Sequence, residues 1–481
     1  MSARHTARAT GAVVAALLMI ALLAPAAAEA HGLIQRANLP IPEWLFGWAA
    51  AAVLIVSFVA LAVLWPRPKL QEVTWHPLPR GVGETLGSRP VEIACGAIGA
   101  GLLGVVVAAG YVGTANAENN FAPTFILITF WVGLAFTSAL LGDVFRAFNP
   151  WRAAGRATGW LVARLRGGRE PAHRPYPDRV GRWPAALGLL AFTWIELASD
   201  WGQDPRMLVT AVCGYSALTW LAMAVYGVEA WCASGETFSV YFNLFSRISP
   251  FETRDRVVGV RPPLGGLPKL DVRAGTVAVV LVMIGTVTFD GLSQGAVWRD
   301  IATPLEDDLI SLGTSLASAE KIMATLGLLA CVGAVAGFYT LGVTGAKSVG
   351  GNFTVDRLRK TFVHSLVPIA LVYVAAHYLT FLIFEGQAIG YLASDPFGQG
   401  WDLFGTASSA INYGVLSQEN SWYLEVAFVV AGHAAALTLA HDRALAIYPQ
   451  PRLAVRSQYW MLGIMVGFTT LALWLLAQAG T

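Results

Sequence analysis

Seven residues in this chain are candidates for chemistry in an apolar setting: His31, Glu196, Asp200, His377, Glu385, Glu425 and His433. All but His31 fall inside or at the ends of long apolar stretches, where an ionisable side chain is costly and is kept for pairing, proton transfer or substrate contact. Glu196 and Asp200 are four apart, the spacing that puts two side chains on one helix face. If both are shielded from water, their repulsion would tune one of them as a general acid. His377 and His433 are candidate bases or metal ligands, with Glu196, Asp200 and Glu425 as catalytic carboxylate partners. The blander alternative for Asp200, Glu385 and Glu425, all near span ends, is a place at the headgroup level.

His31 enters through processing. Arg4, His5 and Arg8 precede an apolar run from Gly11 to Ala24, and Ala28-Glu29-Ala30 is an A-x-A cleavage site. Residues 1–30 therefore read as a secretory signal peptide whose removal leaves His31 at the mature N-terminus. An α-amine beside an imidazole suits copper, and imidazole in general suits copper or zinc, so the metal candidates are His31, His377 and His433. His31 has no HxH, HExxH or Cys/His cluster near it. A haem between His364, His377, His433 and His441 fits poorly, because the two helices space their histidines differently along the membrane normal. His441 and Asp442, beside Arg443, read as a solvated turn, and Ser318 to Lys321 matches SxxK without its companion motifs.

Apolar spans position these residues. The 481-residue chain is 56% hydrophobic and 13% charged, far from soluble averages, and its apolar residues fall in runs of about 20. Ten spans follow the leader, near 43–65, 91–113, 121–142, 183–200, 207–232, 272–292, 321–344, 362–385, 421–440 and 457–478. With the mature N-terminus outside, the inner segments carry 25 Lys plus Arg and the outer ones only Arg36, Arg206 and Arg299. That asymmetry fixes the expected orientation and puts the C-terminus outside as well. The net charge of +2 suggests no nucleic-acid partner.

Two inner segments share a pattern, Phe145-Arg146-Ala147-Phe148-Asn149-Pro150-Trp151 and Phe245-Ser246-Arg247-Ile248-Ser249-Pro250-Phe251. Each sets Asn or Ser before Pro, an N-cap followed by the favoured first helical position. They predict amphipathic helices at the inner interface near 145–165 and 237–250. Small residues four apart (Gly96, Ala100, Gly104; Gly333, Gly337) predict close helix contacts. Cys95, Cys213, Cys232 and Cys331 form no CxxC pair and read as small core residues.

The stretch HGLIQRANLPIPEWLFGWAAAAVLIVSFVALAVLWPRPKLQ, with DVFRAFNPWR and FNLFSRISPF, resembles a family of bacterial multipass membrane proteins named fenitrothion hydrolase. The resemblance implies hydrolysis of an organophosphate ester with loss of a phenol. The expected protein is thus an all-α polytopic membrane helix bundle, residues 31–481 forming one transmembrane domain in the cell membrane. Its expected partners are the bilayer and an apolar small-molecule substrate. Two other functions stay open: a secondary transporter or channel with an outward-facing polar pocket, and a copper-handling protein built on His31. Against the transporter, the broken-helix signal of Pro368 in span eight is read as having no counterpart in span three.

Overall fold

The computed structural model describes residues 43–79, 81–350 and 352–478. Residues 1–30, read from sequence as a signal peptide, and His31 lie outside the described residues. The chain is an all-α bundle with one small antiparallel sheet. Among the described residues, eight helices are long and apolar enough to cross a membrane. They are α1 (Gly47–Leu64 of Glu43–Leu64), α2 (Arg89–Val112), α3 (Phe121–Leu141), α6 (Pro205–Tyr226), α8 (Thr276–Ser293), α10 (Leu316–Lys347), α11 (Val355–Ile383) and α12 (Gln418–Ile447). The other two expected spans are α5 (Trp183–Leu197), a shorter apolar helix, and α13 (Tyr459–Gln478). Between them lie α4 (Pro150–Leu165), α7 (Thr237–Ser246) and α9 (Ala296–Ser311).

Helix α8 is the axis of the bundle. It is apolar on every side, and its neighbours α5, α10, α11 and α13 bury most of its length. Its threonines return their hydroxyls to its own backbone, Thr286 to Val282 and Thr288 to Ile284. Gly285 lets α10 approach closely, since a Cβ there would lie 2.6 Å from the Val332 Cα. Gly432 plays the same part between α12 and α11, against Val372. The small residues singled out from spacing behave differently. Gly96 packs on Ala153, but a Cβ on Gly104, Gly333 or Gly337 would meet open space. Spacing alone marks small residues without telling which face a neighbour covers.

Two spans depart from α geometry. Helix α11 passes through a 3-10 turn at Val363–Leu366, just before Pro368, because proline cannot donate to the preceding turn. Helix α3 is π-helical over Thr124–Gly133, directly after Pro123. The irregularity that span three was expected to lack is therefore present, and the two irregular spans pack against each other.

Helix α7 corrects the interfacial reading of 237–250. It is buried nearly all round, with Phe238, Tyr241, Phe242 and Phe245 in the core. Its polar positions meet protein: the Asn243 amide donates to Asp143 Oδ2 (2.8 Å), and Ser246 Oγ donates to the Asn243 carbonyl (2.8 Å). The first repeated motif packs on α7. Phe145 and Phe242 meet edge to face at 4.9 Å, and Trp151 stacks on Phe238 at 6.0 Å. Asn149 caps α4 as its spacing predicts, with Pro150 at the first turn. Ser249-Pro250 instead leads into β2 (Phe251–Arg254), which pairs with β3 (Val257–Val260), and β3 with β1 (His76–Pro77). Positive φ at both Asp255 and Arg256 makes the two-residue turn that a twisted hairpin favours.

His441 and Asp442 are fully buried on α12, not in a solvated turn. Asp442 accepts from Trp65 Nε1 (3.0 Å), Gln71 Nε2 (2.6 Å) and the backbone of Lys69 and Leu70, while His441 bridges Gln458 and the Trp65 carbonyl. A buried carboxylate here ties the chain after α1 to the bundle. The four cysteines are free.

Candidate functional site

The ionisable residues converge at the end of the bundle that carries the connecting segments 198–204, 294–315 (with α9) and 384–417. Asp290, one turn from the end of α8, is the centre. His377 on α11 donates from Nε2 to Asp290 Oδ2 at 2.9 Å, and the adjacent Tyr378 hydroxyl donates to the same oxygen in a short hydrogen bond. Consecutive residues on a helix point about 100° apart, so both reach one oxygen only because α8 and α11 pack side by side here. Asp290 and His377 expose 9% and 17% of their side chains, so the pair is withdrawn from bulk solvent and its charges are weakly screened.

The cluster extends in two directions. On one side Glu425 of α12 lies within electrostatic reach of His377 and accepts from Ser421 Oγ at 2.9 Å. On the other, Glu196 in the last turn of α5 faces Asp290, and Tyr241 of α7 lies near both Glu196 and Tyr378. The ring of Trp131, carried by the π-helical turn of α3, sits 4.9 Å from that of Tyr378. Glu196 Oε2 is buried without a hydrogen-bond partner among the described residues, and Tyr241 lies against Trp131. Six elements, α3, α5, α7, α8, α11 and α12, thus supply one run of polar groups from Glu196 to Glu425.

Some expected site residues do not join it. Helix α5 ends at Leu197 and Ser199 turns extended to cap a 3-10 turn, so Asp200 does not share a helix face with Glu196. Its side chain is 84% exposed and pairs with Lys321 at 3.2 Å, which corrects the acid–base pair read from the spacing. His433 is fully buried between α12 and α11, where Nδ1 donates to the Val429 carbonyl at 2.8 Å and Nε2 has no partner among the described residues. Glu385 stands in a turn and accepts from Tyr413 (3.2 Å). Among the described residues, no group of three or more His, Cys, Asp or Glu is placed to hold a metal ion. The ligand set expected from His377 and His433 is therefore not assembled there.

Asp290 and Tyr378 were not singled out from sequence. Asp290 carries the same signal as Glu196, a lone carboxylate in the last turn of an apolar span. Another buried carboxylate, Glu236, caps the N-terminus of α7: it accepts from the backbone of Phe238 and Ser239, the Asn149 amide and the Tyr215 hydroxyl. Its acceptor sites are filled by these four donors, so it anchors the start of α7.

Comparisons with protein-family models, curated proteins and solved structures give no match to this chain. The site is thus read from its own chemistry.

Proposed function

We propose that the chain is a proton-coupled transporter of the cell membrane, with His377 as the group that passes the proton. The observation that carries this reading is the seat of His377 beside Asp290, with Glu425 within electrostatic reach, in a run of buried polar groups enclosed by apolar helices. Chains of Asp, Glu and His at such positions serve as proton relays. The paired irregularities of α3 and α11 fit the same reading, since interrupted helices in the two halves mark transport sites. In this reading the basic loops lie inside and both termini outside.

The test is proteoliposomes loaded with a pH-sensitive dye and given an imposed potential. Wild-type protein should acidify the lumen, and His377→Ala or Asp290→Asn should slow that flux on the order of 10²-fold, while size-exclusion and helical content stay unchanged. Folded variants with wild-type flux would sink the proposal.

A second reading keeps the family resemblance. Asp290 orients the His377 imidazole as a carboxylate orients a general base. His377 would take a proton from water as the water oxygen bonds to phosphorus, and the phenolate would leave with the electrons of the broken P–O bond. Phenolate release from a lipophilic phosphotriester, dependent on His377 and without vectorial uptake, would favour this reading over transport. A copper role for His31 would show as stoichiometric metal lost on His31→Ala.

A further inference from the structure

A cavity of about 490 Å³ lies on the far side of α3 and α5 from the ionisable cluster. Phe130 and Ile195 line it, and their chain neighbours Trp131 and Glu196 belong to the cluster. We propose that this cavity holds one acyl chain of a bilayer phospholipid, taken in sideways between α5 and α6. The inference is independent of the transport reading.

Four observations carry it. First, α5 and α6 follow each other in sequence yet do not pack along their length; α6 packs on α2, and α5 on α8 and α7. Second, the mouth opens at mid-membrane depth: Ala191 and Leu218, near the middles of α5 and α6, line the cavity and are both exposed, Leu218 by 68%. That depth is hydrocarbon, so what enters comes from lipid tails. Third, the shape is a slot. Along α6 the lining runs from Leu208 to Leu218, about 15 Å at the rise of a helix, which suits an extended chain parallel to the helices. Fourth, the walls offer almost nothing polar to orient a ligand. The Tyr215 hydroxyl is committed to Glu236, and Trp151 Nε1 donates to Ser216 at 2.8 Å. Pockets for polar ligands present convergent donors and acceptors; this one is built for hydrocarbon, and burying a chain there is favoured as any apolar burial is.

Nanodiscs containing phosphatidylcholine with a diazirine midway along one acyl chain provide the test. Photolysis should label Val106, Phe145 and Trp151, which are buried and reachable only from inside the cavity. A diazirine at the headgroup should not label them. Ala191→Phe and Ala211→Trp, which fill the slot from opposite walls, should each abolish that labelling while leaving annular labelling of the exposed Leu326 and Leu329 unchanged. Absent labelling at the three buried residues overturns the proposal, as does labelling that persists in a folded filled variant. Extraction of a stoichiometric isoprenoid or aromatic lipophile from purified protein would replace the acyl chain as occupant and equally overturn it. Should both variants misfold, the contrast between mid-chain and headgroup labels on wild-type protein decides.

Discussion

At the scale of single residues, Glu196 and Asp200 show how the same spacing can mean opposite things. Glu196 is enclosed beside Asp290, whereas Asp200 reaches solvent and Lys321. Glu196→Gln should therefore impair whichever activity the cluster supports, on the order of 10²-fold if the carboxylate exchanges protons. Asp200→Asn should leave activity at wild type, because an exposed ion pair contributes little. Flux or turnover measured on both variants in one preparation separates them. Asp442 is a residue of a different kind, a hub of four accepted hydrogen bonds. Asp442→Ala should cost about 3 kcal/mol, read as a lower unfolding midpoint in detergent, because four donors at the α1–α12 junction lose their acceptor.

Elements decide which of these residues meet. α7 was expected at the membrane surface because its polar positions alternate with aromatics as an interfacial helix would; Asp143, Asn149 and Tyr215 satisfy those positions and its Glu236 cap inside the protein instead. The small sheet beside it is held by Glu252, which bonds Arg254 (2.7 Å) and the buried Arg261 (3.0 Å). Burial alone would raise the Glu252 carboxyl, but the hydrogen bond from Arg254 and the charge of Arg261 outweigh it and hold it below the ordinary carboxylate range. A carboxyl lowered on folding stabilises at neutral pH, and that contribution is lost as pH falls through its folded value. Glu252→Gln should lower stability at pH 7 by roughly 1–2 kcal/mol and flatten the acid limb of the stability curve. A variant whose acid limb matches wild type would contradict the assignment. Helix contacts can be tested the same way: Gly432→Ile drives a side chain into Val372 and should cost about 1–3 kcal/mol, while Gly333→Ala, facing open space, should be neutral within about 0.5 kcal/mol.

For the molecule as a whole, the proposed orientation rests on loop charge. Residues near 165, 260 and 350 should be shielded from an impermeant reagent in intact cells, and those near 120, 310 and 405 labelled. Labelling of the 143–182 loop from outside would reverse the orientation and turn the cluster toward the cytoplasm. If the basic loops lie inside, the cluster and the segments over it would face outward, and the proposed acyl-chain slot would open sideways to the bilayer. Water-borne protons and lipid-borne chains would then reach opposite faces of α3 and α5.

The all-α membrane architecture was legible in the sequence because span length and apolarity are local properties, set by the thickness of hydrocarbon and the need to satisfy every backbone group within a helix. His377 and Glu425 stood out for the same reason, as ionisable residues in apolar runs. Partnership is not local. Whether His377 faces Asp290, whether α5 stops before Asp200, and whether α7 lies on the membrane or inside the bundle depend on helix rotation and packing that no single span encodes. Only the tertiary structure placed Asp290 and Tyr378 beside His377, since groups 88 residues apart become neighbours through the close packing of α8 on α11.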